Sequence, residues 1–103
     1  MSIRTEEEFE SFLSSRDGNE SVFSKLSKED LAFFRSQLKF NKNGVPCSYW
    51  GDLLQASRMS ESELFDIISQ IFGVDVEEFR GTYHAFGDAQ GNCIPRQFWN
   101  CPY

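Results

Sequence analysis

MSESELFDIISQIFG, residues Met59–Gly73, is the stretch on which the fold turns. Ser60 reads as a helix N-cap, and Glu63 three residues on completes a capping box. Met59 and Leu64 flank that cap as a hydrophobic staple. Gly73 stands where a helix commonly ends in a left-handed conformation. Along the helix, Leu64, Phe65, Ile67, Ile68, Ile71 and Phe72 fall in an arc of roughly 160°, with Asp66, Ser69 and Gln70 opposite. So wide an apolar face demands cover on several sides. The helix is therefore expected to organise a core.

Working outward, the same cap grammar recurs. Thr5 with Glu8 opens a helix to about Ser14, with Phe9, Phe12 and Leu13 inward. Ser15–Glu20 contains the breaker pair Asp17-Gly18 and reads as a loop. Val22, Phe23 and Leu26 suit a single helical turn. Ser27 with Asp30 starts a further helix on which Leu31, Phe34 and Leu38 share a face, while Phe33 and Phe40 point nearly the opposite way. Asn41–Gly44 is a turn. Pro46 fits the first turn of a helix over Cys47–Ser57, with Tyr49, Trp50, Leu53 and Ala56 inward. Beyond Gly73, Asp75 and Glu78 cap a helix to about Ala85, and Gly87 ends it. The remainder, DAQGNCIPRQFWNCPY, has no clean period but is too apolar for a solvated tail. The fold class expected is all-α: one small domain over residues 1–103, a compact bundle of four to five short helices. The irregular segment 86–103 is expected to pack on it as an aromatic C-terminal tail.

The 103 residues carry a net charge of −6 and include eleven Phe. An acidic balance disfavours direct binding of nucleic acid, which needs clustered Lys and Arg. Acids crowd residues 1–30 and 59–80. Between them lies a basic strip of Arg35, Lys39, Lys42 and Arg58. Residues 1–20 lack a basic start followed by an apolar run, and no apolar run nears the ~20 residues of a membrane helix. The protein is expected to be cytoplasmic, with no membrane partner and with reduced thiols.

Chemistry is sparsely encoded. Two loops, from Asn41 and from Asp88, resemble calcium loops in outline. Pro46 and Cys93 occupy the position that needs Gly, and the carboxylates are too few. Cys47, His84, Cys93 and Cys101 supply enough donors for zinc but no CxxC or HxxxH pair. A Cys–His pair for nucleophilic catalysis has no local motif, and no glycine-rich phosphate loop occurs. Acid pairs such as Glu6-Glu7 and Glu77-Glu78 sit in first helical turns, where the dipole explains them. No cofactor, no metal and no enzymatic activity are expected.

What remains is a non-enzymatic protein–protein interaction module: a small acidic regulator, adaptor or inhibitor. Its expected contact surface is Phe33, Phe40, Arg35, Lys39 and Lys42, aromatic anchors bordered by charge. Two alternatives stand beside it. One is a precursor peptide whose helical leader carries a modified or cleaved Cys/Trp-containing C-terminal segment. The other is an acidic nucleic-acid mimic that blocks a nucleic-acid-binding protein.

Overall fold

The computed structural model describes residues 2–83 and 98–100. The expected helix end near Ala85, the stop at Gly87, the loop from Asp88, and His84, Cys93 and Cys101 lie outside the described residues. The described chain is mostly helical: α1 (Glu6–Ser14), α2 (Arg16–Asn19), a 3-10 turn (Val22–Lys25), α3 (Lys28–Gln37), α4 (Gly51–Ser57), α5 (Glu61–Phe72) and α6 (Val76–Tyr83). A two-stranded antiparallel hairpin, β1 (Lys39–Phe40) and β2 (Pro46–Cys47), separates α3 from α4. No described helix is long and apolar enough to cross a membrane.

The helix starts follow local side-chain chemistry. Thr5, Ser27 and Ser60 each accept a hydrogen bond from the backbone N–H three residues on, and Glu63 returns the bond at Ser60. These caps satisfy donors that a helix leaves free at its start. Gly73 ends α5 at φ +72°. Arg4 reaches across to donate to the Phe72 and Gly73 carbonyls at 3.2 and 3.1 Å. That places a cation on the negative end of α5.

The core is continuous and aromatic. Phe9 stacks on Phe72 at 5.6 Å between centroids and meets Phe23 edge-on at 5.1 Å. Phe34 packs on Trp50 at 5.1 Å, Trp50 on Phe79 at 5.2 Å, and Phe79 on Phe65 at 5.3 Å. Such pairs add about 0.5–1.5 kcal/mol each beyond their buried area. On α5, Leu64, Phe65, Ile68 and Phe72 are buried, whereas Ile67 and Ile71 are only half-covered. Ser69, expected opposite the apolar arc, is buried, and its hydroxyl finds no partner among the described residues.

Three local expectations are corrected. Ser15–Glu20 is not a loop throughout: Ser15 caps Gly18, and α2 forms one short helical turn. Gly18 fits there because a Cβ would overlap the Phe12 carbonyl. The helix expected over Cys47–Ser57 begins at Gly51, because Pro46 and Cys47 instead pair with Phe40 and Lys39 in the hairpin. Proline suits the edge of so short a sheet as well as it suits a first helical turn. Finally, α3 stops at Gln37, so Phe40 lies in β1 rather than on the helix. The Asn41–Gly44 turn forms as expected: the Asn41 side-chain oxygen accepts from the N–H groups of Asn43 and Val45, and Gly44 adopts φ +78°.

Candidate functional site

Residues 98–100 return to the body of the protein. The Phe98 carbonyl accepts from the Trp50 N–H at 2.8 Å, and Trp99 forms an antiparallel bridge with Tyr49. Phe98 holds φ +69°, a conformation that costs a non-glycine residue about 1–2 kcal/mol. Asn100 supports that cost. It is 3% exposed and uses both ends of its amide. Its Oδ1 accepts from the Ser48 N–H at 2.9 Å and from the Trp50 indole N–H at 2.8 Å. Its Nδ2 donates to the Pro46 carbonyl at 2.9 Å and to the Thr82 hydroxyl at 3.0 Å. One side chain thus joins β2, the entry to α4, and α6.

This join assembles a surface. Trp99 lies 5.1 Å from Tyr49 and 6.2 Å from Phe33, and Phe33 lies 5.8 Å from Tyr49. Phe33 meets both other rings nearly edge-on. Tyr49 and Trp99 are half-buried, and Phe33 is 43% exposed, the one exposed large apolar side chain among the described residues. Tyr49 folds back over Gly51, where any Cβ would strike its hydroxyl. The glycine therefore seats the ring.

The charges around this surface are not those expected. Arg35 turns away and pairs with Glu10 on α1 at 2.6 Å. Lys39 and Lys42 are exposed on β1 and the hairpin turn. Phe40 is half-buried, with its ring 6.1 Å from Phe72. Of the five residues expected to form one contact surface, Phe33 alone belongs to the aromatic cluster. Two acids stand near the rings of this cluster in the chain. Asp30 precedes Phe33 by one helical turn on the same face, and Asp52 lies in the first turn of α4, just after Tyr49. Burial, and then the charge of Asp30, hold the Asp52 carboxyl above its ordinary range. Tyr49 and Trp99 were legible only as an inward residue and a tail residue, because nothing local brings them together.

A concavity of about 540 Å³ opens elsewhere, between the 3-10 turn and α5, floored by Phe12, Val22, Met59, Ile67 and Ile71. Cys47 is buried, and burial pushes its thiol up to about 12, so it is no nucleophile near neutral pH. Among the described residues, no cluster of His, Cys, Asp and Glu is arranged to hold a metal ion. Comparison with family models, with characterised proteins and with solved structures returns no match to this chain.

Proposed function

We propose that this protein is a non-enzymatic interaction module, a cytoplasmic regulator, adaptor or inhibitor that docks on a protein partner through the Phe33–Tyr49–Trp99 surface. Its scaffold is a compact bundle of short helices with residues 98–100 packed on it. The observation that carries the reading is the exposure of Phe33 within a cluster of three rings. Aromatic residues set in a rigid patch are the usual anchors of protein interfaces. The scaffold fixes all three rings: α3 holds Phe33, Gly51 seats Tyr49, and the Asn100 hydrogen bonds place Trp99. Arg35, Lys39, Lys42 and Phe40 are secondary candidates at the far side of α3 and on the hairpin.

The leader-peptide alternative requires a free C-terminal segment, and the four hydrogen bonds of Asn100 favour the packed module instead. The test is affinity capture from the native cell lysate with wild-type, Phe33→Ala and Gln55→Ala proteins, the last a change at an exposed position on α4. Proteins retained by wild type and Gln55→Ala but lost by Phe33→Ala support the proposal. Equal capture by all three overturns it.

A further inference from the structure

We infer that the aromatic surface of Phe33, Tyr49 and Trp99 receives an arginine-bearing segment of its partner, with Asp30 and Asp52 pairing the guanidinium. The inference rests on the reading of this surface as the docking site and adds the chemistry of the occupant.

Three rings stand together with part of their area open, and Trp and Tyr are among them. Ring faces attract cations, Trp most strongly, and a guanidinium stacks on them more readily than an ammonium does. The border of the cluster supplies the opposite charge. Asp30 lies one turn before Phe33 on α3, and Asp52 follows Tyr49 in the opening turn of α4. Neither carboxylate is in an ion pair among the described residues. Burial, and then repulsion from Asp30, raises the Asp52 carboxyl, so the two acids stand close enough to share one incoming cation. Of the two bases on α3, Arg35 is held by Glu10 on α1, and Lys28 stands at the exposed start of the helix in no ion pair with Asp30 among the described residues. Aromatic anchors with an acidic rim match an arginine-rich loop or tail. They disfavour an acidic partner, whose charge would meet uncompensated carboxylates.

The experiment titrates the full chain with a short Arg-Gly repeat peptide, with Lys-Gly and Glu-Gly repeats of equal length beside it. Binding is read by calorimetry and by the shift of the Trp99 indole resonance. The expected order is Arg above Lys, with no binding of the Glu peptide. Asp30→Asn combined with Asp52→Asn, and separately Phe33→Ala, should each weaken the Arg peptide by about tenfold. Gly51→Ala should do so too, because it displaces Tyr49 without removing a ring. Glu6→Gln with Glu7→Gln, exposed acids on α1, should leave binding unchanged, which separates the site from a general effect of net charge. Circular dichroism of each variant reports whether it folds.

If the α1 variant weakens binding as much as the Asp30/Asp52 variant, the attraction is diffuse and the inference falls. Equal binding of Arg and Glu peptides overturns it as well. Should Phe33→Ala lose lysate partners while the Asp30/Asp52 variant keeps them all, the surface docks a partner but not through a cation. If neither variant loses a partner, the docking surface itself is wrong.

Discussion

Asn100→Ala is expected to be among the most damaging single changes in this protein. The substitution removes an acceptor and a donor from a site 3% exposed. It strands the Ser48 N–H, the Trp50 indole N–H and the Pro46 carbonyl, which Asn100 engages at 2.8–2.9 Å. The Thr82 hydroxyl is spared, since it still donates to the Phe79 carbonyl at 2.7 Å. Each stranded buried group costs about 1–3 kcal/mol. A water entering the vacated polar space can satisfy one or two of them. One or two groups then stay stranded, a net loss of about 1–6 kcal/mol, against the 5–15 kcal/mol that holds a typical domain together. Urea unfolding followed by far-UV circular dichroism measures it, with an unchanged m-value confirming that the native state alone was perturbed. N100D sharpens the test. An aspartate keeps one oxygen for the two N–H donors but sets the other against the Pro46 carbonyl, which raises its folded-state pKa. Stability relative to wild type should therefore be lower at pH 7 than at pH 4, because the stabilising protonated form is lost as pH rises. A loss below about 1 kcal/mol for Asn100→Ala would refute the role given to this side chain.

Ile68 is fully buried on α5, and Ile68→Ala should cost about 2–5 kcal/mol in the same unfolding assay. Gly18→Ala should lower the melting temperature more than Gly81→Ala, because a Cβ at Gly18 overlaps backbone whereas one at Gly81 meets nothing. Cys47 should resist iodoacetamide at pH 8 until the protein is unfolded, as read by peptide mass mapping. Its thiol rises from 9.0 to about 12 on folding, so the stability it contributes is complete below about pH 9 and is lost towards pH 12. Cys47→Ala should remove that part of the alkaline slope.

The cap residues were legible because their partners lie three positions away. Thr5, Ser27 and Ser60 each announce a helix start that the structure contains. Phe33 was legible as an outlier, since it falls off the face that Phe34 and Leu38 need. The hairpin was not legible, because Pro46 opens a helix or closes a sheet edge with equal ease and only pairing to Phe40 decides between them. Nor was the acidic rim. Asp30 read as a helix-start residue, and the spacing Asp30–Phe33 carried meaning only once Tyr49 and Asp52 were placed opposite. Asn100 left no trace: a lone amide in an aperiodic segment has no pattern, and its partners stand 18 to 54 positions away.

That separation bears on how long the native state lasts. Joining Asn100 to Trp50 closes a span of 50 residues, an entropic toll of about 3–4 kcal/mol that helix caps do not meet. A side-chain contact made only after the folding barrier is crossed leaves the folding rate alone when it is weakened. We assign the Asn100 contact, a polar join to an aperiodic segment, to that late class. Weakening Asn100 should accordingly hasten unfolding while leaving the rate of folding nearly untouched. The amide is then a latch on the way out of the native state, setting the lifetime of the aromatic surface that Trp99 completes.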